Sequence, residues 1–153
     1  MAAPISYRPA TTNDHALIVL MISELIDELG PDESNDDVKA MLDDDIRTAL
    51  ANPNVCIFLA ELEGEAIGLS RGDIHTEDPI FRLRKDHRSG YVDQMYVRAA
   101  YRDRGIGYAL LNTLETWFRD QGLEHIILHA APKATRFYAR IGYQPNREMF
   151  KKL

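Results

Sequence analysis

The chain has 153 residues, 45% of them hydrophobic and 27% charged, which suits a single domain over residues 1–153 with a core of its own and would crowd two. That composition excludes a disordered chain, a collagen-like fibre and a mucin-like stalk. Eighteen basic residues against 24 acidic ones leave a formal net charge of −6, which argues against a bulk electrostatic grip on nucleic acid.

Ile5-Ser6-Tyr7-Arg8 reads as a first strand. Thr12 or Asn13 can cap a helix from about Asp14 to Leu29, with Leu17, Leu20, Met21, Leu25 and Ile26 on its buried side. Gly30-Pro31 stops it, and a second helix follows over about Asn35 to Ala51, carrying Val38, Met41, Leu42, Ile46 and Leu50. The period then changes. Val55 to Leu62 is a buried strand, Glu63-Gly64-Glu65 a tight turn, and Ala66 to Gly72 the partner strand of a hairpin. His75 to Ser89 is polar and irregular and is expected to be a surface loop. Tyr91 to Val97 reads as a strand and Gly105 to Gln121 as an amphipathic helix with an Ile106, Leu110, Leu111, Leu114, Trp117 and Phe118 stripe, ended by Gly122. His125 to Ala130 is a buried strand, Pro132 to Ile141 a short helix, and Tyr143 to Leu153 can supply the last strand or strands. The order β-α-α-β-β-β-α-β-α-β predicts an α+β layered sandwich, a mixed sheet with helices on its faces.

No apolar run approaches the ~20 residues of a membrane span. The start, Met1-Ala2-Ala3-Pro4-Ile5, has no basic region before an apolar core, so no signal peptide and a cytoplasmic location are expected. Cys56 is the single cysteine. It excludes an internal disulfide framework or a cysteine-built zinc site, and in an apolar strand it reads as an inert core thiol. The five histidines, His15, His75, His87, His125 and His129, show no metal-ligand spacing, and no metal is expected.

The most informative segment follows the strand ending Met95-Tyr96-Val97: Arg102-Asp103-Arg104-Gly105-Ile106-Gly107 opens a helix. First-turn amides of a helix lack internal partners and sit at the positive end of its dipole, so an anion is favoured there. Gly105 and Gly107 let a bulky phosphate approach the backbone, and Arg102 and Arg104 add charge. Seven basic residues fall between Arg82 and Arg104: Arg82, Arg84, Lys85, Arg88, Arg98, Arg102 and Arg104. The pattern is not the nucleotide P-loop, and Leu110 stands where a dinucleotide fingerprint needs its third glycine. Taken alone, the two glycines fit equally a softened helix start on a basic loop.

Arg102-x-x-Gly105-x-Gly107 resembles the R/Q-x-x-G-x-G/A signature of the GNAT superfamily, the Gcn5-related N-acetyltransferases. Ala134-Thr135-Arg136-Phe137-Tyr138-Ala139-Arg140-Ile141-Gly142-Tyr143 resembles that family's A-x-x-F-Y-x-x-x-G-F/Y segment. The resemblance implies a mixed, mostly antiparallel sheet of six to seven strands with about four helices, strands 4 and 5 splayed. It implies acetyl-CoA as co-substrate. Pantetheine would lie along Met95, Tyr96 and Val97, and the pyrophosphate on the amides of Arg102, Asp103, Arg104, Gly105, Ile106 and Gly107. A backbone N–H near Met95 or Val97 would steady the thioester oxygen. One departure is Ala131, where the family often has an Asn.

The implied reaction is direct attack of an amine on the thioester, which needs an acid for the leaving thiolate and a way to unmask the amine. Tyr138 matches the family's position for the acid, and Phe137 is assigned to the core. Asp93 is the first choice of base, with His129 behind it. Strand alternation puts Tyr91, Asp93, Met95 and Val97 on one face and Val92, Gln94 and Tyr96 on the other, so Asp93 serves as base, as contact for a cationic acceptor, or as a plain surface carboxylate.

Ten of the 24 acids fall between Glu24 and Asp45: Glu24, Asp27, Glu28, Asp32, Glu33, Asp36, Asp37, Asp43, Asp44 and Asp45. Helices here commonly wall the acceptor site in the family, and an acidic wall would attract a polyamine, an aminoglycoside or an amino-acid-like amine; equally, this is a solvated face. The expected function is N-acetylation of such a small-molecule amine, with a protein amine or a non-catalytic acyl-CoA sensor as the other readings. Dimers are frequent in the family, so a homodimer is expected, with neither nucleic acid nor membrane as partner.

Overall fold

The computed structural model describes residues 2–76, 87–146 and 149–153. Its strands are β1 (Ile5–Pro9), β2 (Val55–Leu62), β3 (Glu65–Thr76), β4 (Arg88–Val97) and β5 (Ile126–Leu128), and its helices α1 (His15–Glu28), α2 (Asn35–Ala51), α3 (Ile106–Asp120) and α4 (Thr135–Arg140). The strands form one sheet in the order β1-β2-β3-β4-β5, antiparallel as far as β4 and parallel between β4 and β5. The expected α+β class holds. The strand count is five among the described residues, because Tyr143 onward carries no strand there.

The β2–β3 hairpin turns on Glu63 and Gly64, both at positive φ (51° and 83°), the geometry whose twist matches the strands it joins. The polar stretch expected as a loop is shorter than it reads: β3 continues to Thr76 and β4 begins at Arg88, pairing with it. Residues 77–86, with Arg82, Arg84 and Lys85, lie outside the described residues.

Two apolar layers sandwich the sheet. On one face α1 and α2 bury Ile18, Met21, Ile22, Leu42 and Ile46 against Leu59 and Leu69. The predicted stripe of α1 is corrected: Ile18 and Ile22 point inward, while Leu20 is 54% exposed. Residues 16–22 of this helix are apolar throughout, so spacing alone cannot choose the buried face. On the other face α3 lays Leu110, Leu111, Leu114 and Phe118 on the strands, as its spacing predicts. It lies close because the sheet offers glycines beneath it. A Cβ at Gly72 would stand 2.6 Å from Leu114 Cδ1 and Phe118 Cζ, and one at Gly90 2.7 Å from Phe118 Cδ1.

The entry to α1 is pinned by charge. Asp14 accepts the Thr11 N–H at 2.7 Å, and the Arg8 guanidinium forks between Asp14 and Glu61. Arg8, aided by Thr11, holds the Asp14 carboxyl down at about 2. The start of the helix is thereby tied to β1 and β2.

Candidate active site

β4 and β5 pair over only three residues, Gly90 with Ile126, Tyr91 with Ile127 and Val92 with Leu128. Beyond Val92, β4 continues to Val97 against β3 alone. The two parallel strands therefore form a fork whose open side is the β4 edge. The break falls at a bulge: Arg71 opposes Gln94 and Gly72 opposes Val92, which leaves Asp93 as the extra residue.

The bulge corrects the simple alternation. Before it, the Gly90 N–H donates to the His125 carbonyl at 2.9 Å, so Gly90 and Val92 face β5; after it, the Arg98 N–H donates to the Ile67 carbonyl of β3 at 2.9 Å, so Met95 and Val97 present backbone to the open side. Side chains follow. Val92, Met95 and Val97 pack on the α3 layer and Tyr96 on the α1–α2 layer. Asp93 does not share the face of Met95, as unbroken alternation would require. Tyr96 is turned from the fork: its ring is buried and its hydroxyl donates to Glu24 at 3.2 Å.

At the mouth of the fork the chain turns into α3. Asp103 (φ 62°) and Gly105 (φ 78°) both take left-handed backbone. The first bond of the helix runs from the Ala109 N–H to the Gly105 carbonyl, so the amides of Ile106, Gly107 and Tyr108 precede the ladder. A Cβ on Gly107 would sit 3.8 Å from Phe137 and 3.9 Å from Val97. The turn, the end of β4 and the Phe137-Tyr138 helix thus meet at one place. The arginines behave differently from a free basic loop. Arg102 donates to the Val97 carbonyl at 2.8 Å and to Glu28, which commits its charge to holding the turn. Arg98 pairs with Glu24 and Glu65. Arg104 lies over the Tyr101 ring, 5.6 Å from its centroid, and has no carboxylate partner among the described residues.

Asp93 joins a cluster no local pattern announces. Buried Arg71 bonds Asp73 at 2.9 Å and Asp45 of α2 at 2.7 Å, and reaches Asp93 at 3.2 Å. Burial opposes the Arg71 charge, but the three carboxylates outweigh it and hold the guanidinium protonated. Burial raises the Asp93 carboxyl; Asp73 and Asp45 push it further, against the pull of Arg71 and His75. Beside it His75 stacks on Tyr91, centroids 4.8 Å apart, and the Tyr91 hydroxyl meets His129 Nδ1 at 2.8 Å, clasping the base of the fork. The buried Oε1 of Gln94, opposite Arg71, has no partner among the described residues. The one sequence signal for this cluster is an arginine inside the apolar run of β3.

Tyr138 lies on α4 edge-on to Phe137 and Tyr143. Burial raises its hydroxyl's pKa, and the hydroxyl bonds none of the described residues. Burial pushes the Cys56 thiol up to about 11. The acidic stretch is partly spent internally: Asp27 pairs with Lys39, Asp43 and Asp44 with Arg47, and Glu24, Glu28 and Asp45 with Arg98, Arg102 and Arg71.

The profile of the acetyltransferase (GNAT) family matches residues 20–143. An uncharacterized N-acetyltransferase of Methanocaldococcus jannaschii is 31% identical over 99 residues, covering 62% of this chain and 56% of that protein. The chain spans between 28% and 56% of the curated relatives it matches. Among solved structures, a GCN5-related N-acetyltransferase from Ralstonia eutropha superposes with a TM-score of 0.85 at 27% identity, covering 98% of this chain and 99% of that one. An aminoglycoside N-acetyltransferase in complex with CoA shares the fold, with a TM-score of 0.80 at 15% identity over 100% of this chain and 97% of that one.

Proposed function

Because the chain belongs to the GNAT family of acetyltransferases, we propose that it acetylates a primary amine of a small cationic acceptor from acetyl-CoA, by direct attack. The observation that carries this reading is the fork: β4 leaves β5 after Val92, and its open edge leads to the unladdered amides of α3. A pantetheine arm can add to that edge through the Met95 backbone and the Val97 N–H, the Val97 carbonyl being held by Arg102. The diphosphate suits the amides of Ile106, Gly107 and Tyr108, where Gly107 keeps the approach clear and Arg104 supplies charge. Ile106 contributes its amide alone, its side chain being buried.

Acetyl-CoA supplies the activated thioester. The chain's own groups do the rest. The Asp93 carboxylate holds the acceptor ammonium and takes its proton, directly or through water; partial desolvation and the neighbouring carboxylates raise its carboxyl, which makes it a better base than an unshifted one. The Met95 N–H lies on the open edge, where it can stabilise charge on the carbonyl oxygen. Tyr138, kept protonated by burial, gives its proton to the departing thiolate. The Cys56 thiol, raised to about 11, makes a poor nucleophile, which favours direct attack over an acyl-cysteine.

The proposed acceptor class is supported by Asp93, Asp73 and Asp45 around a single Arg71, and by the unmet Oε1 of Gln94 among the described residues. Both favour a ligand that donates N–H groups with positive charge, such as a polyamine, an aminoglycoside or an amino-acid-like amine. The shared fold of an aminoglycoside acetyltransferase supports this choice. The reading suits a cytoplasmic protein; no helix among the described residues is long and apolar enough to cross a membrane.

The test is a panel of amines assayed by free thiol released from acetyl-CoA. We expect turnover with a small cationic amine, lowered on the order of 10²-fold by Tyr138→Phe with coenzyme affinity unchanged. Coenzyme binding without turnover on any amine would identify a sensor instead, and a fully active Tyr138→Phe would remove the acid assignment.

A further inference from the structure

We propose that the acceptor is a monoamine carrying an apolar body, an aryl or branched alkyl group, and that Val38 and Met41 of α2 select it. This deepens the acetyl-transfer reading and rests on it. The way the carboxylates share Arg71 sets the ammonium end. Asp73 gives both of its oxygens to the guanidinium, at 2.9 and 3.0 Å. Asp45 gives Oδ2 alone, at 2.7 Å, and Asp93 likewise Oδ2 alone, at 3.2 Å. Each of these two keeps its Oδ1 clear of Arg71. Because both touch the same guanidinium, they offer one cation site rather than a row of them.

Asp45 also shows which side of α2 borders that site. Residues four and seven positions earlier in a helix share the face of a given residue, here Met41 and Val38, about 6 and 10 Å along the axis from Asp45. They are 68% and 41% exposed. The reason is that the buried rows of both helices outrun the sheet. In α2, Leu42, Ile46 and Ala49 are buried while Val38, which begins their row, is bare; in α1, Ile18, Ile22 and Ile26 are buried while Leu29, which ends theirs, is 69% exposed. The Lys39–Asp27 pair holds these two ends side by side. An apolar lip therefore stands at the α1–α2 connection, one to two helical turns from the carboxylates. Apolar residues exposed singly are ordinary, but a group of them beside a cation site marks a ligand surface. A polyamine or an aminoglycoside would set polar groups against this lip. An aryl- or alkylamine covers it while its ammonium meets Asp93 and Asp45. The overall exchange is that of the proposed reaction: the ammonium nitrogen sheds two protons and gains the acetyl group, the C–S bond breaks, one proton leaves with the CoA thiol and the other passes through Asp93 to solvent.

The experiment compares phenethylamine, ethylamine and spermidine, as acceptors by thiol release from acetyl-CoA and as ligands by calorimetry with CoA bound, where binding is read without transfer. We expect phenethylamine to exceed both others in kcat/KM by about tenfold or more. Val38→Ser/Met41→Ser is expected to cut its advantage over ethylamine by about fivefold or more, in turnover and in affinity alike. Both side chains are exposed, so the double variant is expected to melt like the wild type. Leu20→Ser, which removes another exposed leucine from the outer face of α1, is expected to leave the ratio as it is. A preference for spermidine or ethylamine, or a double variant that keeps the full advantage, overturns the inference and leaves acetyl transfer to a cationic amine standing. Coenzyme binding without turnover on any amine, with phenethylamine still bound through Val38 and Met41, overturns the transfer reading and retains the ligand class. Phenethylamine that does not bind overturns the inference whatever the turnover.

Discussion

Asp93 takes its chemical character from residues far away in the chain. Asp73 comes from the preceding strand, Asp45 from α2, and Arg71 links all three. Asp45 raises the Asp93 carboxyl by charge repulsion. It also occupies one arm of the Arg71 guanidinium. Replacing it by asparagine removes the repulsion and frees Arg71 to act more on Asp93, and both changes lower the Asp93 pKa. If Asp93 is the base, activity falls on the acid side as its carboxylate takes up a proton. Asp45→Asn is therefore expected to move the acid limb of kcat/KM to lower pH, and Asp93→Asn to abolish that limb with a large loss of rate. An acid limb that stays in place in Asp45→Asn would detach the base role from Asp93. Arg102 makes a parallel point. By type it reads as a phosphate cation, yet its guanidinium ties Val97 to Glu28, so its contribution is to hold the turn in shape.

At the scale of elements, β4 works through one irregularity. Its bulge sends Asp93 toward Arg71 and switches the open edge to Met95 and Val97. The sequence Tyr91 to Val97 gives no sign of it, since bulge placement is set by pairing with β3, a partner about twenty residues earlier. α3 shows the opposite case. Its stripe was legible because polar and apolar positions separate cleanly, whereas α1 is apolar through most of its circumference and only packing chose Ile18 and Ile22. The bare floor under α3 is equally a matter of pairing. A methyl at Gly72 would meet Leu114 and Phe118 at 2.6 Å, and overpacking of this kind costs roughly 1–3 kcal/mol. Gly72→Ala is expected to lower the melting temperature by roughly 3–10 °C; an unchanged melting curve would show that α3 can shift without penalty.

For the whole molecule, ligand binding and stability are linked. On the proposed function, acetyl-CoA at a hundredfold excess over Kd is expected to stabilise the folded state by about 2.7 kcal/mol and to raise the melting temperature by several degrees. Gly107→Glu separates the fold from the proposed diphosphate site. A Cβ there meets Phe137 and Val97 only at ordinary contact distance, and a carboxylate suits the first turn of a helix. The variant is expected to melt like the wild type without ligand, while losing both the coenzyme-induced shift and calorimetric binding, because its charge repels the diphosphate. A retained shift would move the coenzyme away from this turn. The net charge of −6 also needs the whole molecule to be read: Glu24 and Glu28 neutralise Arg98 and Arg102 after β4, while Asp45, Asp73 and Asp93 around the single Arg71 leave negative charge beside the fork.

The amino-acid sequence by itself determined the order of elements as far as α4, the hairpin, α2, the α3 stripe and the two motifs that point to a coenzyme. All of these are local, written in spacings of two, three or four residues and in glycines that specific backbone turns require. Tertiary structure alone decided how far β4 and β5 stay together, which face Asp93 takes and that Arg102 is committed to Glu28. Each of these depends on pairing between segments distant in the chain, and strand register and ion-pair partners are fixed only once those segments meet.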